Sequence, residues 1–277
     1  MIVDLHMHST ASDGALSPAD LMAYVAARGV ERVALTDHDT VQGLPEARRA
    51  AEAHGMAFVD GLEMSVAWQG RTLHIVGLGV DPTHTQLGAA IAELGVERTR
   101  RATEIGQRLA RAGLAEATER AEQLADGGQI TRAHFARLLV EAGLARNMGD
   151  AFKRYLRMGR PGHVRANWLA MQDAIDAIHA AGGQAVLAHP FGYGFTHAWR
   201  RRAIHAFAAG RGDALEIVTG VTDTQQERQA AQDARATGLL GSAGSDFHAP
   251  SQFWLVPGRL RALPTAVSPV AWFRTEP

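Results

Sequence analysis

The chain contains no cysteine. Disulfides, iron–sulfur clusters and zinc–thiolate sites are therefore excluded, and any metal must be held by His, Asp, Glu and water. It also lacks a long uninterrupted apolar run, although 46% of its 277 residues are hydrophobic, so no membrane span is expected. No basic stretch followed by an apolar one opens the chain; it reads into a strand at once. That pattern leads to the expectation of a protein without a signal peptide and with a cytoplasmic location. Low-complexity tracts and short-period repeats are absent as well. Net charge is also small, −1 overall, but it is unevenly spread: residues 98–165 carry 14 Lys/Arg against 7 Asp/Glu, and the remainder 14 against 22. An acidic body with a basic segment suits a metal-binding core beneath an anion-attracting cover; solvated arginines on exposed helices are the plainer alternative.

What is present is a strand–helix alternation broken by a helical block. Strands are expected over 1–7, 32–36, 57–65 and 72–80, with helices from Pro18 to Arg28 (Ser17 as N-cap, Gly29 as stop) and from Leu44 to His54. From Gln86 to about Tyr155 the pattern is helical throughout. Alternation then resumes with a helix over 169–181, strands over 185–190, 214–218 and 239–246, and a helix over 224–236. Short apolar strands, each followed by a helix, imply parallel pairing with right-handed crossovers. Seven or so such units favour a barrel, whose polar residues of interest gather at the C-terminal strand ends. The expected division is a barrel from 1–85 and 160–277, interrupted by a substrate-capping helical subdomain over 86–159.

The strand ends carry the chemistry. In Asp4-Leu5-His6-Met7-His8-Ser9, alternation sends His6 and His8 to one face with Asp4 beneath them, and Leu5 and Met7 to the other. Asp13 follows in the next loop, His38 lies in Thr36-Asp37-His38-Asp39, and Glu63 in Gly61-Leu62-Glu63. His74 interrupts an apolar strand, where it needs a partner. His189 precedes Pro190, and Asp246 and His248 lie in Gly244-Ser245-Asp246-Phe247-His248. Singly, each has an ordinary reading as a turn, cap or core residue. Nine together exceed one ion's needs and suffice for two or three divalent ions separated by bridging carboxylates. Nitrogen and oxygen donors without sulfur admit manganese, the first expectation, and also zinc, iron or magnesium.

These motifs, spread in order over nearly the whole chain, resemble the polymerase-and-histidinol-phosphatase (PHP) family of metal-dependent phosphoesterases. The resemblance implies an α/β fold, a distorted (β/α)7 barrel with a trinuclear centre. It places one metal on His6, His8, Glu63 and Asp246, a second on Glu63, His74 and His189, and a third on Asp13, His38 and His248. The stretch Ile130-Thr131-Arg132-Ala133-His134-Phe135-Ala136, the segment 152–159 and Ala180-Ala181-Gly182-Gly183 resemble the branch that hydrolyses the 3′-phosphate of nucleoside 3′,5′-bisphosphates; some members of that branch resemble 5′-3′ exoribonucleases on short 5′-phosphorylated RNA. The expected chemistry is attack by a metal-activated hydroxide, with His189 and Asp246 as the residues to assist proton transfer. Arg132 and His134 at a helix entrance, then Arg160 and Arg165, are the candidates for the non-reacting 5′-phosphate. The expected partner is a small phosphorylated nucleotide or a short RNA end, with no membrane and no stable nucleic-acid complex. Competing readings are a histidinol-phosphatase-like enzyme, an amidohydrolase acting on C–N bonds, and a non-catalytic metal module. Against the amidohydrolase, no lysine stands at a strand end to carry a bridging carbamate.

Overall fold

The computed structural model describes residues 1–252 and 255–273. The first third alternates as expected: β1 (Val3–Asp4), α1 (Pro18–Ala26), β2 (Arg32–Leu35), α2 (Leu44–Ala53) and β3 (Ala57–Trp68), with the three strands paired in parallel. α1 begins where its sequence signal lies: the Ser17 hydroxyl accepts the Asp20 N–H at 3.1 Å, and Pro18 fills the first turn.

β4 (Arg71–Leu78) departs from the all-parallel expectation. It runs antiparallel to β3 on one side and to a later strand on the other. The cause is local. Gln69 (φ 47°) and Gly70 (φ 75°) form a two-residue turn with both residues in the left-handed region. That turn matches the twist of a tight hairpin, so no crossover helix is needed.

The helical block follows as α3 (Thr85–Arg111), α4 (Ala117–Ala125), α5 (Arg132–Glu141) and α6 (Met148–Ala151), which continues into a π-helical turn at Phe152–Leu156. β5 (Leu169–Ala170) pairs with Val66 and Ala67 of β3, so the helix expected from 169 starts later, as α7 (Met171–Ala180). The chain then runs through β6 (Gln184–Leu187), α8 (His197–Ala209), β7 (Ala214–Thr219), α9 (Thr224–Thr237) and β8 (Leu240–Gly244). Spatial order is β1-β2-β3-β4-β6-β7-β8. Beyond the regular ladder, Leu5 N–H donates to Ala243 (3.2 Å), Asp246 N–H to His6 (2.8 Å) and His8 N–H to Phe247 (2.9 Å). These bonds draw the end of β8 against the segment after β1 and nearly close a distorted seven-strand barrel.

The strands themselves contribute a core of Val3, Leu5, Ala34, Val59, Val76, Leu78 and Val186. A second cluster lies beneath α1 and α2, and a third, larger one beneath α7, α8 and α9. The helical block has its own core around Leu109, Phe135, Leu139 and Leu156. Its first helix spans two cores, with Leu87 and Leu94 against the barrel and Ile105 and Leu109 against the other helices. Strand alternation fails just where the metal motif begins. Leu5 packs among the strands, whereas Met7 packs beneath α1 and α2. Regular pairing stops after Asp4, whose carboxylate instead accepts the Ser245 N–H at 2.8 Å. Among the described residues no helix is long and apolar enough to cross a membrane.

Candidate metal centre

All nine residues singled out at strand ends converge on one rim. His6 and His8 follow β1, His38 follows β2, Glu63 and His74 lie in β3 and β4, His189 follows β6, and Asp246 and His248 follow β8. Three of these turns carry left-handed backbone at non-glycine residues: Asp39 (φ 52°), His189 (φ 28°) and Asp246 (φ 56°). Backbone of this kind persists where tertiary contacts over-determine it, and it concentrates at functional sites.

Glu63, fully buried, is the hub. Its Oε1 lies 2.9 Å from His189 Nε2, 3.0 Å from His74 Nδ1 and 3.5 Å from His6 Nε2; its Oε2 lies 2.9 Å from His38 Nδ1 and 3.4 Å from His8 Nε2. Asp246 Oδ1 stands 3.3 Å from His8 Nε2 and 3.5 Å from His6 Nε2. Asp13 Oδ1 faces His248 Nε2 at 3.4 Å and His38 Nε2 at 3.9 Å. Three groups of donor atoms are close enough to share an ion: His6–His8–Glu63, His38–Glu63–His74, and His8–Asp13–His38–His248. The grouping is thus more shared than the expected three sets, because His38 presents one ring nitrogen to Glu63 and the other to Asp13, and His8 stacks on His248 at 4.2 Å between ring centroids.

The donor set fits divalent ions by a direct test. His8 Nδ1, Asp13 Oδ1, His38 Nδ1, Glu63 Oε2 and His74 Nδ1 are buried yet make no hydrogen bond of acceptable geometry, the short approaches of His38 and His74 to Glu63 included. Buried polar atoms are ordinarily satisfied, so this many orphans in one cluster call for cations. Charge points the same way. Burial raises the Glu63 carboxyl, but the adjoining His74, His38 and His6 more than reverse that and hold it well below the usual carboxylate range. Burial and the neighbouring His248 and His38 press His8 down to about 3, leaving a neutral ring suited to ligation. Burial also lowers His248, yet Asp13 and Asp246 outweigh it and lift it to about 9.

A supporting shell, not anticipated from the sequence, holds the ligands. Glu216 of β7, 2% exposed, accepts from His6 Nδ1 at 2.9 Å and from the His189 N–H at 2.6 Å. Such carboxylates fix the tautomer and aim of ligand imidazoles. Tyr193 donates to the Ala188 carbonyl (2.9 Å) and accepts the His74 N–H (2.9 Å). Asp37 receives the hydroxyls of Ser9 and Ser12, both at 2.6 Å, and so shapes the loop between His8 and Asp13. A carboxylate in the apolar run Leu215-Glu216-Ile217 is the same kind of signal as His74 in its strand, and it would have flagged Glu216.

Beside the cluster opens a cavity of ≈ 680 Å³, bounded by Asp13, His38, His74 and His248 on one side and by Arg98, Arg101, Arg132 and Arg137 on the other, with Phe152 and Trp168. Arg132, expected at a phosphate, lines this cavity. Arg98, Arg101 and Arg137 were not foreseen; the first two lie on α3 and the third on α5, far along the chain, and only the fold brings the two helices to one cavity. His134 is placed differently. It is buried, and its Nδ1 accepts the Thr131 N–H at 3.0 Å in a capping box, with burial holding it down to about 4. Arg160 and Arg165 are exposed and do not line the cavity. The one lysine of the chain, Lys153, is exposed on the π-helical turn, so no carbamate bridge is available at the cluster.

Comparison with known proteins agrees with this geometry. A Haemophilus influenzae protein named 5′-3′ exoribonuclease is 45% identical over 267 residues, 96% of this chain and 97% of the relative. A Chromobacterium violaceum protein named 3′,5′-nucleoside bisphosphate phosphatase is 40% identical over 275 residues, 99% of this chain and 96% of the relative. The solved structure of an amidohydrolase from Chromobacterium violaceum, with bound sulfate and no metal, matches at a TM-score of 0.92 and 39% identity, covering 98% of this chain and 94% of that one. The PHP domain model matches residues 4–161. The PHP domain match and these full-length relatives, on a distorted seven-strand barrel, establish that the chain belongs to the PHP domain family.

Proposed function

We propose that the protein is a metal-dependent phosphoesterase that removes the 3′-phosphate of nucleoside 3′,5′-bisphosphates and leaves the 5′-monophosphate. The observation that carries the reading is the pairing of the donor cluster with a wall of arginines in one cavity, of which only Arg98 has a carboxylate partner among the described residues. Arg132 is half-buried and makes no hydrogen bond or ion pair among the described residues, while burial and Arg98 lower its pKa. Burial, with the charges of Arg132 and Arg98, brings Arg101 down to about 9. Guanidiniums crowded at this depth need an anion, and the indole N–H of Trp168 is a further buried donor without a partner. A second phosphate, distant from the reacting one, meets that need by charge-assisted hydrogen bonds.

His6, His8, Glu63, His74, His189 and Asp246 would hold ions on the Glu63 side, and Asp13, His38 and His248 one on the cavity side. Bound divalent ions supply Lewis acidity, activating water and neutralising phosphoryl oxygens. The chain's own residues orient the substrate. The arginines fix the 5′-phosphate, and Phe152 and Trp168 offer apolar faces beside it. Burial raises the Asp246 carboxyl, but His6, His8, His248 and His189 reverse this and keep it ionised, an anion facing the cluster. Burial lowers His189, but in the metal-free protein Glu63 reverses this and keeps it protonated to higher pH, so that ligation by His189 would displace a proton.

Short 5′-phosphorylated RNA is the second reading, supported by the name of the Haemophilus influenzae relative. The test is phosphate release from adenosine 3′,5′-bisphosphate with manganese, beside histidinol phosphate and a 5′-phosphorylated RNA tetramer. Rapid release from the bisphosphate alone supports the first reading. Stepwise mononucleotide release from the tetramer at a higher kcat/KM supports the second, and no turnover of any substrate refutes both.

A further inference from the structure

The helical block reaches past the cavity, holding Asp13 directly and His38 through its neighbour Asp39. The Thr131 hydroxyl, at the N-cap of α5, donates to Asp13 Oδ2 at 2.8 Å. This leaves Oδ1, which has no partner, facing His248 and His38. Arg137 of α5 donates to the Asp13 carbonyl. The loop before α5 sits on the same segment: Gln129 N–H donates to the Ala11 carbonyl at 2.9 Å. Gly128 packs so tightly there that a Cβ would collide with the Thr10 carbonyl. From α3, Arg98, 6% exposed, gives its Nε–H to Asp39 Oδ2 at 2.6 Å and Nη2–H to Ser65 at 3.2 Å. Asp39 is the left-handed residue next to His38; its own N–H donates to the Glu63 carbonyl at 2.9 Å and its Oδ1 accepts the Ser65 N–H at 2.6 Å. The opposite side of the cluster is secured otherwise, because His6, His74 and His189 are steadied by Glu216 and Tyr193 of the barrel.

We propose that Thr131 and Arg98 are positioning residues that make the Asp13–His38–His248 ion site conditional on the seating of the helical block, while the His6–His8–Glu63 site is held by the barrel. The physical reason is geometric. A carboxylate with one oxygen engaged by a hydroxyl aims the other, and an arginine that neutralises Asp39 fixes the strained turn from which His38 projects. The same block carries Arg101, Arg132 and Arg137, so the cationic wall and this ion site are assembled together.

The experiment titrates Mn²⁺ into chelator-stripped full-length protein, with occupancy at each site read from manganese anomalous scattering in soaked crystals and totals from elemental analysis. Thr131→Val and Gly128→Ala should each weaken Mn²⁺ at Asp13–His38–His248 by roughly tenfold or more, as losses of outer-shell support do, with occupancy at His6–His8–Glu63 unchanged. Arg98→Met should do the same through His38, and Thr131→Ser should restore wild-type binding. Thr131→Val also removes a helix cap, so Gly128→Ala, which touches neither cap nor ligand, is the deciding variant. Equal weakening at every site, unchanged binding in Gly128→Ala, or a wild-type protein that holds no ion at this site would overturn the proposal. Substrate is not used, so this result and that of the phosphate-release assay stand or fall separately.

Discussion

Replacing Glu216 by glutamine tests the supporting shell with minimal change in shape. The carboxylate accepts two N–H groups at once, His6 Nδ1–H at 2.9 Å through Oε1 and the His189 amide at 2.6 Å through Oε2. Glutamine has a single acceptor oxygen, and its NH₂ must face one of the two donors. One buried donor is then unsatisfied, which costs about 1–3 kcal/mol. His6 must hold its Nε2 toward the cluster, so most of this cost falls on ion binding, corresponding to a loss of roughly ten- to hundredfold in affinity. The assay is competition for Mn²⁺ between the protein and a chelator of known affinity, with far-ultraviolet circular dichroism to establish that the variant folds. A folded Glu216→Gln protein that binds Mn²⁺ as tightly as wild type would show that the Glu216 bonds do not govern the ligands, and the reasoning about the supporting shell would fail.

Other perturbations follow from the same geometry. His189→Ala should lose activity and bound metal together; a variant with full activity would remove His189 from the ligand set. Arg132→Ala should raise KM for the bisphosphate several-fold more than KM for an aryl phosphate that has no second phosphate, and equal changes would take Arg132 out of substrate selection. Metal binding should release protons near pH 7, because in the metal-free protein carboxylate neighbours, working against burial, raise His248 to about 9 and also raise His6, His38 and His189. The sign is definite: these raised histidines stabilise the metal-free fold fully below about pH 6.5, and that contribution is lost as pH rises toward 9, while Mn²⁺ affinity increases over the same window. Calorimetry in buffers of different ionisation enthalpy reads the proton count, and a value of zero at pH 7 would contradict the picture.

The candidate ligands and the kind of fold were legible from local sequence alone. A histidine or acid set into or just after an apolar strand is costly unless it has a partner, and that cost is legible one strand at a time, from His6 through His248. The hairpin at Gln69-Gly70 was equally local, yet the alternation rule concealed it, because strand periodicity is the same in parallel and antiparallel pairs. His134 shows the limit of reading by residue type: a histidine at a helix entrance serves an anion or a cap equally well, and here its neutral ring takes the Thr131 N–H. Which groups meet depended on packing in three dimensions. Glu216 supports His6 from 210 residues away, Arg98 reaches Asp39 across 59, and Thr131 reaches Asp13 across 118. Such pairings are set by barrel closure and by how α3 and α5 pack on the rim, for hydrogen bonds act over about 3 Å of space whatever the separation along the chain.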